Sequence, residues 1–126
     1  MPPDPRFDGP GPDARWQEAL SGGTFMIQVC DQCDAAQFPP AVTCRACHGP
    51  SMSLVPATGT GTVHSTTTVR SRDGGRNVAL VALSEGPRMM THVTGDPDAV
   101  RIGQTVHARV ESGDTPCVVF DPEDAL

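Results

Sequence analysis

The chain has 126 residues, enough for one ordinary domain or two very small ones, with 37% apolar residues and a formal net charge of −6. Four Phe, one Trp and no Tyr leave a thin core of Val, Ala, Leu and Met, and the acidic balance argues against a protein that lives on nucleic-acid phosphates. No stretch is long and apolar enough to span a membrane, and the first 25 residues contain no signal-type apolar run.

Residues 1–12 are rich in proline and glycine and read as a flexible arm. Asp13 is placed to cap a short helix through Leu20, with Trp16 and Leu20 on one face and Gly22-Gly23 as its stop. Trp16 reads as the anchor of that helix. Thr24–Val29 alternates as a strand and leads into Cys30-Asp-Gln-Cys33. Ten residues later comes Cys44-Arg-Ala-Cys47. In each Cys-x-x-Cys a tight knuckle turns both sulfurs to one side, so Cys30, Cys33, Cys44 and Cys47 supply the tetrahedral thiolate set of a structural zinc. Four thiolates leave no open position for substrate, so this centre should hold structure and do no chemistry. Tetrahedral sulfur also suits iron, but nothing else in the sequence suggests electron transfer. Two Cys-x-x-Cys disulfides would be reactive redox bonds rather than staples. His48 reads as a neighbour able to hydrogen-bond a sulfur, and Phe38 of Phe38-Pro39-Pro40 as a cover for the metal. Met52–Pro56 leaves the centre as a strand. Residues 13–57 therefore read as a leading helix and zinc ribbon, and a metal-type cysteine pattern points to a reducing cytoplasm.

A second pattern fills residues 58–122. Gly59–Arg70 is rich in β-branched residues, with Gly59 and Gly61 marking a bend or bulge. A polar turn, Ser71–Arg76, leads to a strand Val78–Leu83, and the turn at Ser84–Pro87 to a strand Arg88–Val93. Asp96 can cap one helical turn, Pro97–Val100. Gln104–Glu111 and Pro116–Phe120 complete five strands, the spacing of a small Greek-key barrel of the OB type. Residues 123–126 are an acidic tail. The fold class is mostly β: helix, zinc ribbon, five-stranded barrel.

No catalytic set emerges. Cys117 reads as a small buried hydrophobe in the closing strand, and His64, His92 and His107 as ordinary strand residues. Glu85 beside Arg88 reads as a local ion pair. All nine basic residues are arginine, and Arg70, Arg72, Arg76 and Arg88 are placed to form a patch at one mouth of the barrel. Met89 and Met90 point to opposite faces of their strand, one into the core.

Taken in order, Trp16, Cys30-x-x-Cys33, Phe38-Pro39-Pro40, Cys44-x-x-Cys47, Gly59-Thr-Gly-Thr-Val63, Val78–Leu83, Glu85-Gly86-Pro87-Arg88 and Val100-Arg-Ile-Gly103 resemble the acyl-CoA-associated family of rubredoxin-like zinc ribbon plus OB-fold, a domain-of-unknown-function family. The likeness covers about residues 13–122. It departs in small ways, with Arg45 and His48 where the family usually carries proline and glycine. The resemblance implies a non-catalytic accessory subunit in a hetero-oligomer with a thiolase-like or lipid-transfer-type enzyme, a thiolase or side-chain-cleaving aldolase acting on acyl-CoA thioesters. It implies that the barrel helps hold coenzyme A. Arg70, Arg72 and Arg88 are then the candidates for CoA phosphates, and Phe38, Pro39, Met89 and Met90 for the partner surface. Two other readings stay open: a single-stranded nucleic-acid module, disfavoured because Phe120 is the only aromatic after Phe38, and a rubredoxin-like redox protein, which iron would colour red.

Overall fold

The structure is a computed structural model that describes residues 11–72 and 74–123. The chain divides into two compact units between Ala57 and Thr58. The arm before Gly11 and the tail after Glu123 lie outside the described residues.

In the first unit, helix α1 spans Pro12–Ser21. Its N-cap is Gly11, with no side-chain capping bond, and Asp13 sits inside the first turn. Asp13 is therefore not the cap. Pro12 takes the first helical position, where its fixed φ is pre-set and its missing N–H costs nothing, and Asp13 instead meets the positive end of the helix dipole. Leu20 is buried, and Trp16 donates its indole N–H to Met26 O at 2.8 Å. The Trp16 ring meets Phe25 and Phe38 edge-on, with centroids 6.4 and 5.5 Å away. Strands β1 (Met26–Cys30), β2 (Ala36–Gln37) and β3 (Met52–Pro56) form an antiparallel sheet with β1 in the middle. The expected strand thus starts two residues later and ends one later, on Cys30 itself, opposite Met52.

The second unit is a five-stranded barrel: β4 (Thr60–Ser71), β5 (Gly74–Leu83), β6 (Arg88–Thr91), β7 (Thr105–Glu111) and β8 (Cys117–Pro122), in the order β6-β5-β4-β7-β8. Beyond β6, Val93 makes a parallel bridge to Phe120 and closes the barrel; Phe120 N–H donates to His92 O and Thr94 N–H to Phe120 O, both at 2.9 Å. Val63, Val81, Val93, Val106 and Phe120 form the centre of the core. The bulge falls between Val63 and Ser65 rather than at a glycine. Gly61 has a different use: a Cβ there would lie 2.5 Å from Val81 Cγ1 and 3.1 Å from Ala82 O, so only a glycine lets β4 pass this close to β5. The β4–β5 hairpin is longer than expected. Pairing runs down to Ser71 opposite Gly74, because Gly74 takes φ +111° and tightens the turn. Asp96 does cap a single 3-10 turn, Pro97–Ala99, accepting from Asp98 N–H at 3.0 Å.

Asp121 on β8 accepts from Arg109 Nε at 2.8 Å and from Thr94 Oγ1 at 2.6 Å. Arg109 first, then Thr94, hold this carboxyl below its ordinary value of 3.8. A folded-state pKa below the unfolded one stabilises the fold at pH values above the unfolded pKa, and the gain is lost as pH falls through the folded value. Wild-type protein should therefore exceed Asp121→Asn in stability at neutral pH, with the difference shrinking progressively as pH falls below the ordinary carboxyl value of 3.8. Urea unfolding midpoints of the two proteins at acid and neutral pH test this, and a difference that does not shrink as pH falls below 3.8 would contradict it.

Candidate metal centre

Each knuckle is built by its own backbone. Gln32 and Cys33 point their N–H groups at Cys30 Sγ (3.4 and 3.5 Å), and Ala46 and Cys47 theirs at Cys44 Sγ (3.3 and 3.4 Å). The chain then leaves each knuckle through a left-handed residue, Asp34 and His48, both at φ 63°. Asp34 N–H donates to Cys30 O at 3.0 Å and His48 N–H to Cys44 O at 2.8 Å. His48 thus stands at the position that favours glycine, and its role is in the turn. The N–H groups of Cys47 and then Ala46 draw the Cys44 thiol from its ordinary 9.0 down to about 6, because such donors favour the thiolate.

The four sulfurs lie within 4.8 Å of one another. Cys30 Sγ is 3.5 Å from Cys47 Sγ, and Cys33 Sγ 3.6 Å from Cys44 Sγ. A zinc–sulfur length of about 2.3 Å makes the edge of a tetrahedron about 3.8 Å, so these residues fit zinc. Thiolates this close would repel without a cation among them. The four cysteines can hold a structural zinc, with the buried Cys30 and Cys44 on the core side and Cys33 and Cys47 exposed.

Two residues with no motif to mark them support this centre. Gln28 and Gln37 are 4% and 6% exposed and face each other across β1 and β2. Gln37 Nε2 donates to Gln28 Oε1 at 2.7 Å and to Thr43 O at 3.1 Å, and Gln37 Oε1 accepts from Arg45 N–H at 2.9 Å. Gln28 clasps Ala41, donating to its carbonyl and accepting from its N–H, both at 2.8 Å. Only their strand register brings them together. Asp31, inside the first knuckle, accepts from Ser53 Oγ at 2.7 Å and Ser51 Oγ at 2.9 Å. Phe38 packs on Trp16, so its described ring contact is with the helix.

The other expected groupings change. Arg70 lies opposite Gly75 on β5, and Arg88 opposite Ala82. Those positions are seven residues apart, about 23 Å at the strand rise. Arg70, Arg72 and Arg76 therefore share the hairpin end, while Arg88 sits at the other, and the single four-arginine patch is not formed. Arg70 is also held by Asp98 at 3.0 Å. Glu85 does not pair with Arg88 in the described bonds; it accepts from Thr58 N–H at 2.9 Å and from Ser84 Oγ at 3.1 Å. Met89 is 5% exposed and belongs to the core, which removes it from the partner-facing set, whereas Met90 is 73% exposed. Phe38 is half-buried and Pro39 exposed. Cys117 is exposed, not buried, because the core positions of β8 begin at Val118. His92 Nδ1 bonds Asn77 O at 3.1 Å and His107 Nε2 lies 3.4 Å from Glu123; neither bond involves Cys117. Among the described residues, no helix is long and apolar enough to cross a membrane.

Comparison with known proteins follows the same division. Residues 17–53 match the family model of the ChsH2 rubredoxin-like zinc ribbon domain, and residues 54–111 that of the ChsH2 C-terminal OB-fold domain. A solved structure described as an Ltp2–ChsH2(DUF35) aldolase contains a chain that is 31% identical, with a TM-score of 0.80, covering 94% of this chain and 98% of that one. A DUF35 protein of unknown function from Sulfolobus solfataricus shares the fold at 16% identity and a TM-score of 0.66, over 94% of this chain and 90% of its own. A probable enoyl-CoA hydratase alpha subunit of Thermomonospora curvata is 34% identical over 100 residues, or 75% of this chain. The chain spans about a third (31%) of that relative's length. With its four-cysteine ribbon, its OB barrel and this sequence identity, the chain belongs to the ChsH2 family of DUF35 proteins.

Proposed function

We propose that the chain is a non-catalytic accessory subunit that binds a thiolase-like enzyme acting on acyl-CoA thioesters and helps hold the CoA moiety. The observation that carries this reading is the 31% identity over nearly the whole of a chain from an Ltp2–ChsH2(DUF35) aldolase. The likeness to part of an enoyl-CoA hydratase subunit supports the acyl-CoA class. The four cysteines offer structure rather than catalysis, since a filled thiolate shell has no position for substrate.

The outer face of the barrel supports the partner. Residues 77, 79, 81 and 83 of β5 are buried, so Arg76, Val78, Leu80 and Ala82 lie on the opposite face. The register sets Met90 beside Leu80, Arg88 beside Ala82 and Val69 beside Arg76. An antiparallel strand with a solvated face alternates apolar with polar, whereas β5 is apolar on both faces from Val78 to Leu83. Met90 and this strip are the surface for the partner, and Phe38 with Pro39 contribute from the ribbon. Arg72, aided by Arg70, faces CoA phosphates at the hairpin end, and Arg88 flanks the partner strip.

The test is co-expression of the chain with a thiolase-like enzyme as candidate partner. The wild-type chain should co-purify with the enzyme, and Met90→Glu should abolish the complex while leaving the chain folded. Within the complex, Arg72→Ala should weaken CoA substrates by about 1.5–3 kcal/mol if its phosphate bond is charge-assisted, read as a rise in KM. Failure of the two proteins to co-purify sinks the accessory reading; an unchanged KM for both Arg70→Ala and Arg72→Ala sinks only the CoA contact.

A further inference from the structure

The first knuckle is anchored by regular structure. Cys30 ends β1 and pairs with Met52 of β3, and Asp31 N–H donates to Ser51 O at 2.9 Å. The second knuckle has no such support, because residues 38–51 contain neither helix nor strand. What reaches it is the amide pair. Gln37 takes the carbonyl of Thr43 and the N–H of Arg45, the backbone groups on either side of Cys44. Gln28 takes both backbone groups of Ala41, three residues ahead of Cys44. One primary amide offers a donor and an acceptor in a plane, as a peptide unit of a neighbouring strand would. The two side chains thus act as a substitute strand for a segment that has none.

We propose that Gln37, with Gln28 behind it, is a positioning residue of the metal centre: its amide presets the Cys44–Cys47 knuckle against Cys30 and Cys33, so that the metal enters a half-built site and leaves it slowly. The described side-chain hydrogen bonds of the two glutamines run to each other and to backbone groups, so they act through the segment that carries Cys44. Burial makes the clasp specific. Both amides are almost dry, so a side chain lacking either the donor or the acceptor leaves a part-buried backbone group of the second knuckle without its amide partner. Glutamate at 37 would keep an acceptor for Arg45 N–H, lose the donor for Thr43 O, and set a carboxylate beside a four-thiolate centre. Asparagine is one methylene too short to reach.

The experiment uses the full chain loaded with zinc, and in parallel with cobalt. Zinc transfer to an excess of a chromophoric chelator is timed for wild type, Gln37→Asn, Gln37→Met, Gln28→Asn and, as a control for general weakening of the ribbon, Ile27→Val, which trims a fully buried side chain without touching the clasp. Loss of such an outer partner typically lowers metal affinity 10- to 100-fold, so zinc should leave both Gln37 variants at least about tenfold faster than wild type. The cobalt-loaded Gln37 variants should also show altered d–d bands, while Ile27→Val keeps the wild-type spectrum and loses zinc less than threefold faster. If Ile27→Val releases zinc as fast as the Gln37 variants, or if Gln37→Asn and Gln37→Met match wild type in rate and spectrum, the positioning role is refuted. Should Gln37→Met fail to fold, Gln37→Asn and Gln28→Asn decide by the same two readouts.

Discussion

Replacing Cys44 with serine is expected to abolish stoichiometric zinc binding and to unfold residues 26–56. The first unit has little else to hold it. Among its described residues the large buried apolar side chains are Leu20, Phe25 and Ile27, and two of the other buried positions are the ligands Cys30 and Cys44. Binding free energy in a structural zinc site is folding free energy, with apparent values of about 10–16 kcal/mol in zinc-finger peptides, well above what three apolar side chains contribute at about 1.5–3 kcal/mol each. Metal analysis should give one zinc per wild-type chain and none for Cys44→Ser. Amide exchange should show protection lost through β1 to β3 in the variant, and in wild type treated with a strong chelator. Protection of these strands that survives complete metal removal would show that the ribbon stands on its core alone.

Asn77→Ala should cost the barrel about 2–4 kcal/mol, as the sum of lost hydrogen bonds and one buried group left unpaired. Asn77 is fully buried. Its Nδ2 donates to Thr66 Oγ1 at 2.7 Å and Thr67 O at 3.3 Å, and its Oδ1 accepts from Val93 N–H at 3.0 Å. Val93 is itself 0% exposed and makes the bridge that closes the barrel on Phe120. Alanine would leave the Val93 N–H dry and unpaired at that seam, and open a cavity in place of the amide. Urea unfolding of the barrel measures the loss; a change below about 0.5 kcal/mol would mean that water or a backbone shift replaces the amide.

The parts of this protein legible in the sequence are those set by neighbours along the chain. A Cys-x-x-Cys knuckle is closed by N–H groups two and three residues beyond the first cysteine, so the spacing alone announced Cys30, Cys33, Cys44 and Cys47. The single turn capped by Asp96 and the pair Met89 and Met90 on opposite strand faces are local in the same sense, although which methionine enters the core was not. The five strands followed from β-branched runs and turn residues, and their ends moved by only a few positions, except where Gly74 let the hairpin zip further.

What depends on partners far apart in sequence was decided by the tertiary structure. Gln28 and Gln37 meet through the β1–β2 register, and Asn77 reaches Val93 across 16 residues; polar residues that look like turn or surface residues became the buried clasps of the two units. Register likewise sent Arg88 to the far end of β5 from Arg70, gave Arg70 to Asp98, and turned Glu85 toward Thr58 and Ser84. The phase of β8 exposed Cys117 by starting the core at Val118. The amino-acid sequence by itself determined that this chain carries a four-cysteine set able to hold a metal in a ribbon ahead of a barrel, because short-range backbone geometry suffices for both; which polar groups are buried, which arginines stand together and which face of β5 is left apolar came only from strand pairing, because a side chain's surroundings in a sheet are set by the residue opposite.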